Sequence, residues 1–395
     1  MGRSVQRPRW ADDSARLGGR SRRGTAAPEI QSGRGPGFDL ALGRREPGRS
    51  RRDPGAAVRG TRGGGCGRGG DVGQHSARAP LVSIQELGSL GGAVSQAKAV
   101  NNLGHVAGTS RDGSGRSRAF LWKEAVGITD LNPLTGVNAS ANDINAMGDI
   151  VGGGDTGFGD FHAYFLSEGT SFDLGTLGGS ESEALAVNRL GHVVGHSRVA
   201  GGPAKRAFLM SEPGRLVDLG TLGGATSIAH DVNDRTEVVG FAETTAGQPH
   251  AFLWTASDGM RDLGTLGASA SMALALNNRT AIVGGSGRAF IWTEQLGTVD
   301  LGTLGGRTSC ASDINDAGCI VGVSQTGGID ARGLPITRAF LRTPDGRMLD
   351  LGTLGGEHSS AAALSEEVGG TLWIAGHSHD AAARMRAVLW AVRLG

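Results

Sequence analysis

The sequence predicts an all-β chain folded as a seven-bladed propeller of four-stranded blades, and three observations lead there. The phrase DLGTLGG recurs from Asp173, Asp218, Asp300 and Asp350, with DLGTLGA from Asp262 and weaker copies from Glu86 (ELGSLGG) and Asp130 (DLNPLTG). The intervals between copies are 44, 43, 45, 44, 38 and 50 residues, a period at which one unit holds about four short strands. Short β-branched and aromatic runs are separated by Gly, Asn and Asp clusters, and no segment sustains a helical period.

Each unit carries four landmarks in a fixed order. The first is a segment of small residues ending in Asn, such as SEALAVN to Asn188 and SCASDIN to Asn315. Blades converge on a central axis where space is least, so this segment is the expected inner strand. A tight turn N-x-x-G follows, with Asn first and a left-handed Gly fourth. Thr236 and Thr280 replace that Gly, and because a β-branched residue resists positive φ, those two turns are expected to adopt another geometry. Second comes the step ending HVVG at Gly195 or CIVG at Gly322, and third the run AFLW at Ala119 and Ala251 or AFLM at Ala207. The third strand is apolar on both faces, as packing between two neighbouring blades requires. The Asp-Leu-Gly phrase is the outer strand, and its glycines let the crossover turn back to the next inner strand.

The two ends of the array fit a clasp. After Trp390 the chain has no room for an outer strand, whereas Leu81 to Gly88 is an outer-strand phrase with no blade before it. The N-terminal strand is therefore expected to complete the last blade, which removes free sheet edges.

Composition separates two regions. Residues 1–80 hold 17 arginines and 7 acids, net +10, while the remaining 22 bases and 31 acids give net −9. The first region, with GRREPGRSRRDPG and TRGGGCGRGG, is too polar and too rich in Gly and Pro to bury a core, and is expected to be a disordered extension to the propeller domain at 81–395. Trp10 and Phe38 are its only aromatic residues, so base stacking is poorly served and no nucleic-acid partner is expected. The chain shows no apolar stretch of membrane-helix length and no signal-peptide pattern. Cys66, Cys310 and Cys319 match neither a disulfide framework nor a zinc pattern, with Cys319 expected opposite Ile314 and Cys310 opposite Val323.

Function is sought where the units differ. From the Gly ending the valine-rich step to the Ala opening the third-strand run, the distances are 11, 11, 12, 11, 5, 17 and 11 residues. The resulting candidate contact segments are Ser110 to Ser117, Gly153 to Asp160, Ser197 to Lys205, Ala242 to Pro249 and Ser324 to Thr337, all on one face. The Gly-rich phrase has neither the P-loop nor the dinucleotide pattern, so no cofactor is expected. The Asp of the phrase is expected to cap a turn rather than bind calcium. Asp143, Asp231 and Asp313, two residues before the turn Asn, are expected to point to the axis, where they form a sparse ring for ions or water. His377, Ser378, His379 and Asp380 resemble a catalytic or metal cluster, yet the Ser recurs as Ser197 and Ser324 in the repeat. His192 and His196 lie on a strand, roughly 13 Å apart, too far to share a metal. No catalytic or metal residue is assigned.

Together the phrase, the turn N-x-x-G-x-V-V-G and the triplet His250-Ala251-Phe252 resemble the HAF repeat family of bacterial extracellular proteins over about residues 81–395. His162 leads an Ala-Tyr version, and Arg118, Arg206, Arg288 and Arg338 replace His elsewhere. The resemblance implies secretion or surface display and leaves molecular function open. The expectation is a monomeric, non-catalytic scaffold that binds a protein, glycan or surface polymer. The alternatives are a polysaccharide hydrolase or lyase with its site in the propeller mouth, and a self-associating surface-layer component.

Overall fold

The computed structural model describes residues 80–394, which form 28 strands and no helix. The expected disordered extension and Cys66 lie outside the described residues. An opening strand β1 (Leu81–Glu86) is followed by a first unit of β2 (Gly91–Val100), β3 (Val106–Asp112), β4 (Ser117–Lys123) and β5 (Gly127–Asp130). The second unit is β6 (Ala139–Ile144), β7 (Ile150–Asp155), β8 (Phe161–Ser167) and β9 (Thr170–Asp173). The third is β10 (Gly178–Val187), β11 (Val193–Val199), β12 (Lys205–Glu212) and β13 (Arg215–Asp218). The fourth is β14 (Gly223–Val232), β15 (Val238–Thr244), β16 (Pro249–Thr255) and β17 (Gly259–Asp262). The fifth is β18 (Met272–Leu276), β19 (Ile282–Gly285), β20 (Ala289–Thr293) and β21 (Gly297–Gly302). The sixth is β22 (Gly305–Ile314), β23 (Ile320–Ile329), β24 (Pro335–Arg342) and β25 (Met348–Asp350), and the last is β26 (Gly355–Leu364), β27 (Leu372–Asp380) and β28 (Met385–Arg393).

Within each unit the strands pair antiparallel in chain order, so the four landmarks are four neighbouring strands. A single parallel bridge from Glu181 to Phe161 joins β10 to β8, and the second and third units thereby share one eight-stranded sheet. The last unit has three strands of its own, and β1 pairs with β28 from Leu81 opposite Arg393 to Glu86 opposite Val388.

Consecutive sheets bury their faces against each other. Val239, Ala251 and Leu253 of the fourth unit pack with Leu276, Phe290 and Trp292 of the fifth. The same arrangement brings Ala375, Ala387 and Leu389 of the last unit against Val100, Phe120 and Trp122 of the first. Each fully buried large side chain of this kind contributes about 1.5–3 kcal/mol.

The glycine that closes the valine-rich step within the second strand has a specific cause. Every inner strand contains a bulge, seen in the third unit where Ala184 lies opposite Gly195 but Ala186 opposite Val194. The bulge drives an inner-strand carbonyl onto that glycine: a Cβ at Gly195 would lie 2.0 Å from the Glu183 oxygen, and at Gly240 1.9 Å from that of Ile228. No side chain fits at this position.

Two local expectations are corrected. Thr236 and Thr280 keep the common turn, with φ of 63° and 57° and N–H groups donating to Asn233 and Asn277 at 3.0 and 3.1 Å. The surrounding bonds hold them there: Asn233 Oδ1 accepts from the N–H groups of Arg235 and Glu237, both at 3.0 Å, and Thr236 Oγ1 meets His192 Nδ1 at 3.0 Å. Around the cysteines, Cys310 does oppose Val323, but the bulge between Ala311 and Asp313 sets Ile320 rather than Cys319 opposite Ile314. Both thiols are free, and burial raises each to a pKa of about 11.

Candidate functional site

Recurring polar residues are the first candidates, and the turn asparagines and inner-strand serines among them join one unit to the next. The turn asparagine uses its carbonyl to brace its own turn and its amide to reach the following unit. Asn101 Nδ2 donates to the Asn145 carbonyl at 3.2 Å, Asn145 to Asn188 at 3.1 Å and Asn188 to Asn233 at 2.8 Å. Asn233, Asn277 and Asn315 continue the ladder to Asn277, Asn315 and Ser365 at 3.2, 3.0 and 3.1 Å. A second rung runs beside it, ending with the Glu366 N–H donating to Asn102 Oδ1 at 3.0 Å.

Serines make the matching joint at the other end of the inner strand. Ser182 Oγ accepts from the Ala163 N–H of the preceding unit at 2.8 Å, and Ser95 accepts in the same way from Ala387 at 3.0 Å. Ser378 accepts from the Leu354 N–H at 2.9 Å, as Ser197 does from Leu177 at 2.8 Å, so the serine between His377 and His379 belongs to the framework.

The Asp of the phrase caps its turn, as expected: Asp173 and Asp262 each accept a glycine N–H two residues on, at 2.8 and 2.7 Å. Their carboxylates also hold the first residue of the triplet, with His162 at 2.9 Å and His250 at 2.8 Å. Arg118 and Arg288 make the same contact with Asp130 and Asp300 at 2.9 and 3.0 Å. These pairs lie near the surface, where an ion pair contributes about 0–1 kcal/mol.

The position two before the turn residue alternates along the units as Ala99, Asp143, Ala186, Asp231, Ala275, Asp313 and Ala363. Each of the three carboxylates turns to the next unit, Oδ2 accepting the N–H of Val187 at 2.8 Å, Leu276 at 2.9 Å or Leu364 at 2.8 Å. Burial is the main force raising their pKa values, to about 7, 6 and 8 for Asp143, Asp231 and Asp313. Mutual repulsion adds to the shift at Asp143 and Asp313. Beyond this layer a cavity of about 190 Å³ is framed by Asn145, Asn188, Asn233, Asn277, Asp316 and Glu366.

The histidines separate into unrelated settings. His192 bonds Thr236 near the Asn turns, whereas Lys205 Nζ donates to His196 Nε2 at 3.0 Å. His377 is pushed down to a pKa of about 4, by burial first and then by His379. Asp380 accepts the Ala382 and Arg384 N–H groups, both at 2.9 Å, and those bonds hold its pKa near 2.

His379 stacks edge-on against His358 with ring centroids 5.3 Å apart. There Asp330, Glu357 and His358 bring ligand atoms within 4.8 Å of one another. The bonds around them favour a loop pin over a metal centre. Thr337 N–H donates to His358 Nδ1 at 3.3 Å, which leaves the ring proton on Nε2, 3.4 Å from Asp330 Oδ2. That oxygen also receives Arg332 Nη2 at 2.8 Å and Nε at 3.0 Å, and a guanidinium there competes with any cation. The Ser324 to Thr337 segment is thus anchored at its centre, with Ile329 and Leu334 exposed beside the anchor.

Sequence reasoning missed one network. Lys98 Nζ donates to Asn142 Oδ1 at 2.6 Å, and Asn142 Nδ2 donates to Glu183 Oε1 at 2.9 Å. Ser140 Oγ donates to the same Glu183 oxygen at 3.3 Å. Burial lowers the Lys98 pKa, opposed by the attraction of Glu183. His196 is pushed down to about 4, by burial first and then by Lys205. The available signal was charge: Lys98 and Glu183 are the only charged residues at inner-strand positions that other units fill with residues such as Leu185, Leu274, Ile228 and Met272.

Antiparallel four-stranded units in an all-β chain define a propeller-like repeat protein. No protein-family model matches the chain, and no curated protein aligns with it. Among solved structures it is similar to a puromycin hydrolase, the S511A mutant complexed with PGG, at 14% identity and a TM-score of 0.51 over 75% of this chain and 54% of that one. The chain thus spans about half the length of that hydrolase, and the likeness shows the fold alone. A gluconolactonase from Xanthomonas campestris aligns at 12% identity and a TM-score of 0.37 over 80% of this chain and 90% of that one. A Trypanosoma rangeli sialidase mutant aligns at 9% identity and a TM-score of 0.37 over 80% and 59%.

Proposed function

We propose that residues 81–395 form a closed ring of seven blades, of HAF-repeat type, acting outside the bacterial cell as a non-catalytic binding scaffold. It takes a protein, glycan or surface polymer on the face that bears the second-to-third-strand loops. Four joints between the last and first units support closure: β1 on β28, Ala387 to Ser95, Glu366 to Asn102, and the shared cluster of Leu389 with Phe120 and Trp122. The observation carrying the function is the division of labour among polar residues. Those that recur are taken up by joints between units or by caps within them, while length varies at the hairpins after Gly284 and Gly322 and exposure is high in loops such as Gly153 to Asp160, where Phe158 is 97% exposed.

The test is a glycan and surface-protein binding screen of the whole chain beside a variant with Ser324 to Thr337 shortened. Binding that disappears with the loop supports the reading, and binding indifferent to the loop moves the site elsewhere. Turnover of a polysaccharide by the intact chain would replace the scaffold reading with the hydrolase or lyase one.

A further inference from the structure

The network around Glu183 departs from the repeat, with the one charged residue at its inner-strand position, where other units carry Gln96, Ser140, Ile228, Met272, Cys310 and Ser360. The chain has three lysines beside 36 arginines, and two of them, Lys98 and Lys205, come to this one place. His196 stands where the other units carry Thr109, Gly153, Phe241, Gly285, Val323 and His377, so the framework does not require a histidine. Lys98, Glu183 and Lys205 are half-buried, around the buried His196.

Its hydrogen-bonding capacity is unbalanced in one direction. Lys205 donates to His196 Nε2, so the neutral ring carries its proton on Nδ1. That Nδ1–H is buried and has no partner, and the residue is only 7% exposed. An orphaned buried donor is destabilising and awaits an acceptor. Each lysine makes one of its three possible bonds. The Lys98 ammonium and the His196 ring both feel the Glu183 carboxylate, whose Oε1 takes the bonds from Asn142 and Ser140 while Oε2 is left for a hydroxyl donor. Lysine suits such a place because its compact ammonium accommodates a ligand oxygen without imposing the planar fork of arginine.

We propose that Lys98, Lys205, the His196 Nδ1–H and Glu183 form a binding site for a hydroxy-carboxylate, a sugar acid either free or as the acidic unit of a glycan. The ligand carboxylate accepts from the ammonium groups and the imidazole N–H, and a ligand hydroxyl donates to Glu183. The site enters through the Ser197 to Lys205 connection between β11 and β12. It rests on the reading of the protein as a binding scaffold and names the ligand class for that scaffold.

Calorimetric titration of the whole chain with glucuronate, an oligoglucuronate and neutral glucose tests this. The expected result is heat of binding with the acids and none with glucose, and an affinity at least about tenfold weaker in His196→Phe and in Lys205→Met, which is about 1.4 kcal/mol. Equal affinity for monomer and oligomer identifies a free small acid, and tighter oligomer binding a glycan. His196→Phe introduces the residue that the fourth unit already has as Phe241, and its melting temperature is expected to hold or rise. A fall comparable to that of a ladder variant such as Asn188→Ala makes the network structural and overturns the site. Acid binding indifferent to both substitutions overturns it as well. If proteins or neutral glycans bind in the loop screen while the acids do not, this site fails and the scaffold stands; if nothing binds in either experiment, both fail.

Discussion

At the Asn-turn end, Asn188 and five counterparts repeat the same amide bond to the next unit. At the opposite end, the spacing from the second-strand Gly to the third-strand Ala ranges from 5 residues after Gly284 to 17 after Gly322, because the hairpin of β19 and β20 is short and that of β23 and β24 is long. The same strands run between both ends, so the contrast does not come from strand propensity. It comes from what the turn residues bond: a side chain that reaches the neighbouring unit fixes the length and geometry of its own turn. The hairpins at the other end share no such recurring bond and change length from unit to unit, the longest being held by its own contact with His358 of the next unit.

The contrast is tested most severely at the join of the termini. Removing residues 1–92 takes β1 from β28 and exposes the strand carrying Trp390, so melting is expected more than about 10 °C below that of a chain lacking only residues 1–80. Equal melting temperatures for the two truncations would show that β1 contributes nothing to the join. Next in size, Asn188→Ala leaves the Asn233 carbonyl and the N–H groups of Leu190 and His192 without their partner. The expected loss is about 2–4 kcal/mol by denaturant titration. Shortening the Ala242 to Pro249 connection should change stability by about 0.5 kcal/mol or less; a loss equal to that of Asn188→Ala would erase the distinction between the two ends.

A pH effect separates the carboxylate layer from the ladder beside it. Asp143 and Asp313 have folded pKa values near 7 and 8, above the unfolded value near 3.8. The folded state therefore holds protons that the unfolded chain releases, and stability falls as pH rises through these values. Between pH 6.5 and 8.5 the melting temperature should decline, and the decline should be shallower in Asp313→Ala, where other units already carry alanine. Below that window His196 and His377, neutral when folded, act in the opposite sense, so a melting profile taken only at acid pH does not answer the question. An unchanged slope in Asp313→Ala would remove that carboxylate from the account. The smallest effect belongs to Thr236→Gly: relief of positive φ and loss of the His192 contact oppose one another, leaving a net change within about 1 kcal/mol.

Much of the framework was legible because each landmark states a local requirement. Small residues before Asn, a Gly after two valines and an apolar run located the strands, and the unmatched phrase at Glu86 located β1. The bulge escaped, because Ser182, Ala184 and Ala186 look like plain alternation until their partners Ser197, Gly195 and Val194 are seen. That one unpaired residue also displaced the expected partner of Cys319. Thr236 was misjudged from its own preference, when bonds from Asn233 and His192 decide its conformation. The Glu183 network escaped for another reason: Lys98, Asn142, Glu183 and Lys205 are scattered over three units, and only pairing between sheets brings them together.

The alternation of alanine and aspartate along the inner strands has a consequence of parity. A series of seven alternating positions begins and ends on the same residue, and here its two ends are Ala99 and Ala363, in the first and last units, whose strands share one cluster. The units therefore carry a phase, odd or even, despite their shared phrase. Moving them in pairs preserves that phase, whereas exchanging the third and fourth units would set the carboxylates of Asp143 and Asp231 in neighbouring units.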